Sequence, residues 1–134
     1  MKFSFIVIDD SELDCYIAEK LIKHTGKSMG FKAFADAASA LEYISRHNQQ
    51  DADKTIILLD IMMPVMNGFD FLDAFSALPA QVQQQFLVIA ITSSMNKTDI
   101  ARIKNHEAVI GVIDKPVTIH AVSAIISQEG VQWD

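Results

Sequence analysis

The chain has 134 residues, half of them apolar, with a formal net charge of -6 and a pI near 5.0. That length suits one compact domain with a single core, and no stretch clusters enough Lys and Arg to hold a nucleic-acid backbone. The apolar run at the N-terminus is cut off by Asp9 and Asp10, too early for a secretory leader or a membrane span, so no membrane insertion is expected. Cys15, the one cysteine, has no partner for an internal disulfide, and a cytoplasmic location is the expectation.

In chain order, Phe3 to Ile8 is a run of β-formers almost unbroken in apolarity, as in a strand buried on both faces of a parallel sheet. Ser11 opens a helix, with Asp14 three residues on as a short capping-box variant. Leu13, Ile17 and Leu21 are its expected inner face, and Gly26 stops it. A short strand follows around Phe31 to Phe34, and Asp36 caps a second helix with Ala40, Leu41 and Ile44 inward. Ile56 to Leu59 is the third strand. A helix begins near Asn67, turns Phe71, Phe75 and Leu78 inward and ends at Pro79. Phe86 to Ile91 is the fourth strand, Asp99 to Asn105 a more polar helix, and Val109 to Ile113 the fifth strand. Thr118 to Ser127 is the last helix, with Val122, Ile125 and Ile126 inward.

Five strands alternating with five helices make an α/β chain, a (βα)5 doubly wound parallel sheet with right-handed crossovers. Such sheets bind ligands outside the carboxyl ends of their strands, where the strand order reverses. Asp9 and Asp10 follow strand one, Asp60 follows strand three, and Thr92 and Lys115-Pro116 follow strands four and five. Groups far apart in sequence therefore converge on one rim.

These features resemble the receiver domain of two-component response regulators, over essentially the whole chain. The match rests on Asp9-Asp10, on Asp60-Ile61-Met62-Met63-Pro64-Val65-Met66-Asn67-Gly68, on Thr92 in Ile91-Thr92-Ser93, and on Lys115-Pro116. The resemblance implies a flavodoxin-like sheet in the order 2-1-3-4-5, a receiver spanning 1–127 and a tail spanning 128–134. It implies phosphorylation of Asp60, in a protein that promotes its own phosphorylation and dephosphorylation but is not an enzyme on a separate substrate. It further implies Mg²⁺ held by Asp10, Asp60 and the Met62 backbone carbonyl, with Asp9 supporting. The implied partners are a histidine kinase or histidine phosphotransfer protein and an unknown downstream protein, with no direct nucleic-acid contact.

The chemistry can be argued separately. Three close carboxylates repel, so they raise a pKa or recruit a cation, and Mg²⁺ prefers oxygen ligands while keeping several waters. An aspartate can attack phosphorus to give an acyl phosphate, a transfer that asks mostly for positioning and charge neutralisation. Lys115 supplies a flexible positive charge, and the Thr92 hydroxyl can turn toward a phosphoryl oxygen and bias a two-state loop.

Each group also has a plain structural reading. Asp9-Asp10 suits a helix N-terminus, Asp60 and Asn67-Gly68 suit turns, and Thr92 and Lys115 suit loops. Those readings do not explain why all fall on one sheet edge. Two other classes compete: a haloacid-dehalogenase-like Mg²⁺ phosphohydrolase, which needs an acid where Met62 stands, and a pseudo-receiver that binds without being phosphorylated. Gly26-Lys27-Ser28 is not a P-loop, because Leu21 occupies the place of the earlier glycine and a helix precedes it. His24, His47, His106 and His120 lack metal-ligand spacing and read as solvated. Met62, Met63 and Met66 read either as an adaptable partner surface or as an anchor for their loop. Trp133 reads as a docking point or the start of a linker.

Departures from the receiver pattern matter. Val112 stands where receivers usually carry an aromatic, so rotation of a ring cannot report the threonine's movement. Asp114 either competes for Lys115 or points to solvent. Met62 and Ser94 offer nothing to orient an attacking water, which implies a long-lived acyl phosphate. Only Gln128 to Asp134 follow the last helix. If that is the natural full length, the expectation is a protein that acts by docking, relaying a phosphoryl group or changing its affinity for a target through the face of the fourth helix, fifth strand and fifth helix. If the chain is a fragment, an attached effector decides the outcome.

Overall fold

The computed structural model describes residues 3–26, 28–46, 54–93 and 96–128; Lys27, His47, Ser94, Trp133 and the tail beyond Gln128 lie outside the described residues. The elements run β1 (Phe3–Ile8), α1 (Glu12–His24), β2 (Ser28–Phe34), α2 (Ala37–Arg46), β3 (Lys54–Asp60), α3 (Gly68–Ser76), α4 (Ala80–Gln83), β4 (Phe86–Thr92), α5 (Lys97–Lys104), β5 (Val109–Asp114) and α6 (Ile119–Gln128). The five strands are parallel in the order β2-β1-β3-β4-β5, as expected. The extra element α4 is a single turn started by Pro79, whose fixed φ suits a helix entry.

Capping chemistry sets the helix starts. The Ser11 side chain accepts from Asp14 N, Asp36 from Ser39 N, Asn96 from Asp99 N and Thr118 from Ala121 N. Before α3, Asn67 and Asp70 form a complete capping box. Gly26, at φ +68, ends α1 in the left-handed region and donates its N–H to Lys23 O.

The pleat sorts the core into two layers by alternation along each strand. Ile6, Ile8, Ile57, Leu59, Val88 and Ala90 face Ala40, Ile44, Phe71 and Phe75 of α2 and α3. Phe5, Val7, Ile56, Leu58, Ile89 and Ile91 face Ala18 and Ile22 of α1 and Val122 and Ile126 of α6. The central strands are sealed on both sides, and their carboxyl ends open together at one rim.

One expected face is wrong. Leu13 and Ile17 are 66% and 42% exposed, while Ala18 and Ile22 of the same helix are buried. The Cys15–Ala18–Ile22 stripe packs on the sheet instead, and the Cys15 Sγ donates to Asp9 O at 3.3 Å. His106 also differs from the solvated reading, for its ring bridges Ser76 Oγ at 3.1 Å and Asp73 at 3.6 Å. His24 and His120 are exposed.

A candidate phosphoryl and metal site

β1 and β3 are neighbours with Ile8 paired to Leu59, so Asp9 and Asp60 leave the sheet side by side. One carboxylate oxygen from each of Asp9, Asp10 and Asp60 lies within 4.8 Å of the others. Asp9 and Asp60 are about 5% and 4% exposed, whereas Asp10 is exposed. Two buried carboxylates facing a third are a donor set suited to a hard divalent cation. Asp9 Oδ1 accepts from Ser11 N at 2.9 Å, and Asp60 Oδ1 accepts from Met62 N at 3.0 Å, which leaves each a second oxygen.

Lys115 reaches in from the end of β5. Its Nζ lies 2.9 Å from Asp14 Oδ2, 3.4 Å from Asp9 Oδ2 and 3.7 Å from Asp60 Oδ2. Desolvation raises the Asp60 pKa to about 6, the charge of Asp9 adds to the rise, and the Met62 N–H and Lys115 oppose it. For Lys115, desolvation alone would lower the pKa. The hydrogen bond to Asp14 and the charges of Asp9 and Asp60 outweigh it, holding the ammonium above its ordinary 10.5.

Thr92 ends β4 fully buried, and its register partner on β5 is Asp114. Its Oγ1 donates to Asp114 Oδ1 at 3.0 Å. Asp114 is exposed, as one of its two expected readings had it, and its carboxylate engages the threonine and not Lys115. The loop after Asp60 divides its methionines, with Met63 and Met66 packed into the core and Met62 62% exposed. Val112 packs against the layer that contains α2 and α3.

The residues expected at the site thus share one rim, with Thr92 turned to Asp114. Sequence reasoning missed Asp14 as a member, reading it as half of a capping box. The signal was its position one turn after Asp10, on the helix face nearest the strand ends. A cavity of about 290 Å³ adjoins the cluster between α1 and the β5–α6 loop, lined by Asp9, Asp14, Asp60, Lys115 and apolar residues including Ile17 and Val117. Among the described residues, no helix is long and apolar enough to cross a membrane.

Known proteins agree with this architecture. A response regulator receiver protein from Dyadobacter fermentans superposes with a TM-score of 0.85 at 27% identity, covering 97% of this chain and 99% of that one. A two component response regulator from Cytophaga hutchinsonii gives 0.83 at 21% identity, covering 96% and 97%, a likeness of fold. Among curated sequences, a protein-glutamate methylesterase/protein-glutamine glutaminase 2 from Paramagnetospirillum magneticum is 28% identical over 119 residues, 88% of this chain. The chain spans only 31% of that relative's length. The family model for the response regulator receiver domain matches residues 5–127, and with it the chain belongs to the receiver domain family of two-component signalling.

Proposed function

We propose that Asp60 accepts a phosphoryl group in Mg²⁺-dependent signalling, from a histidine kinase or a histidine phosphotransfer protein. The observation that carries this reading is the convergence of the Asp9, Asp10 and Asp60 carboxylates within 4.8 Å, with Lys115 Nζ 3.7 Å from Asp60. An oxygen of Asp60 attacks phosphorus as the phosphorus–nitrogen bond of the donor phosphohistidine breaks, and the imidazole keeps the electron pair and takes a proton. Asp60 Oδ1 is anchored on the Met62 N–H, so Oδ2 is the oxygen free to react.

Asp10, Asp60 and the Met62 carbonyl would hold the metal, with Asp9 supporting it. Bound there, Mg²⁺ supplies neutralising charge for the carboxylates and the incoming phosphoryl oxygens. Lys115 moves from Asp14 to a phosphoryl oxygen, and Thr92 donates its hydroxyl to another. Met62 offers no group to orient a hydrolytic water, which supports a long-lived acyl phosphate. The receiver occupies 1–127, with 128–134 as a tail. A cytoplasmic location, an unidentified downstream protein target and no direct nucleic-acid contact go with this reading.

The test is incubation with Mg²⁺ and acetyl phosphate, followed by intact mass spectrometry. One labile phosphoryl adduct, abolished by Asp60→Asn, is expected. Phosphate release over many turnovers would instead indicate a phosphohydrolase, and no adduct a pseudo-receiver.

A further inference from the structure

We infer that Asp114 is a positioning residue for Thr92: it holds the hydroxyl while Asp60 is unmodified, and exchange of that hydrogen bond for one to a phosphoryl oxygen is the switch. The inference rests on the reading of Asp60 as phosphoacceptor and adds the element that makes the threonine two-state.

Three observations support it. Thr92 and Asp114 are register partners at the ends of β4 and β5, so the pleat turns both side chains to the same face. The Thr92 hydroxyl is fully buried and needs an acceptor, which Asp114 Oδ1 supplies at 3.0 Å. Lys115 does not compete for Asp114, because its ammonium is held by Asp14, Asp9 and Asp60.

The geometry also sets how firmly the latch closes. Asp114 is exposed, so its carboxylate is rehydrated at once when the threonine leaves. The held state is therefore favoured only modestly, as a bistable element requires. Release also changes the end of β5 two residues beyond Val112. A response can then reach the β5 surface with no aromatic side chain to rotate. In this chain a carboxylate does what ring rotation cannot.

Titration of the full chain with beryllofluoride and Mg²⁺ tests the inference. Asp114→Ala is expected to tighten binding about tenfold, and in a Thr92→Val background the same change should alter it by less than about twofold. Asp114→Asn keeps an acceptor oxygen without the charge and should fall between; it also serves if the alanine variant folds poorly. Equal tightening in both backgrounds would reveal general charge removal and overturn the latch, as would no tightening at all. If the folded wild-type chain binds no beryllofluoride, the phosphoacceptor reading falls and this inference with it. Wild-type binding without coupling between Asp114 and Thr92 sinks the latch alone.

Discussion

Lys115 makes its shortest contact, 2.9 Å, with Asp14 on α1 and not with Asp60, its most distant carboxylate partner at 3.7 Å. The cation that would grip a phosphoryl group is drawn toward the helix side of the cavity in the resting protein.

Replacing Asp14 tests that pull. Asp14→Asn should bring the raised Lys115 pKa back toward 10.5, read from the pH dependence of its side-chain carbon chemical shifts. The pair is partly exposed, so the stability loss at pH 7 should stay under about 1 kcal/mol. A group whose folded pKa is raised stabilises below its unfolded pKa and loses that increment as pH climbs through the folded one. Wild type and variant should therefore converge in stability above pH 10.5.

Asp60 gives linkage of the same sign at acid pH, from burial and not from a bound partner. Its folded pKa, about 6, exceeds the ordinary 3.8, so its contribution is fully present below 3.8 and disappears as pH rises through about 6. Without divalent cations, urea unfolding should show stability falling across that window. Asp60→Asn should flatten the profile and be more stable at pH 7.5 by about 1 kcal/mol, discounted for the open rim. Millimolar Mg²⁺ should recover the difference in the wild type only.

Val65 sits at φ +66 with its side chain wholly exposed, in the loop after Asp60. A β-branched residue there costs about 1–2 kcal/mol, and glycine recovers most of it after its own entropy. Val65→Gly should raise stability by about 0.5–1 kcal/mol in denaturant melts.

Gly68 lies at the other end of the loop, where a Cβ would sit 2.6 Å from the Ile61 Cα and 2.5 Å from its Cδ1. Backbone cannot yield as a side-chain tip can. Gly68→Ala should destabilise by more than about 2 kcal/mol and shift the loop carrying Met62.

Cys15 should be unreactive. Burial, then the charges of Asp9, Asp14, Asp10 and Asp60, raise its pKa from 9.0 to about 11. The thiolate population at neutral pH is then about a hundredfold below that of an unperturbed thiol, and alkylation by iodoacetamide should slow accordingly. Asp9→Asn should speed it.

Much of this was legible in the sequence. Strand runs such as Ile56 to Leu59, with Asp60 directly after, reveal both the buried sheet and its chemical edge, because pleat periodicity and strand-end placement are local properties. The face of α1 was not legible. Leu13 and Ile17 form a valid helical stripe, and only packing on the folded sheet, where Ala18 and Ile22 join the layer of Val7 and Leu58, selects the rival one. The same limit hid Asp14 and Asp114. Each is a single acid whose partner lies 101 or 22 residues away, across a crossover that no short-range pattern records. Asn67 and Asp36 were readable as starts of helices because a cap and its amide lie three residues apart.

The two-layer sorting of the core has a consequence for how this rim tolerates change. Asp60 continues the side of Leu58 and Ile91, while Thr92 continues the side of Ala90 and Val88. Inserting or deleting one residue near the end of β4 would invert that phase, turning an isoleucine toward Asp114 and the hydroxyl toward the acidic cluster. Chain length at the strand tips is thus held as tightly as residue identity, and drift should be absorbed by the outer helices.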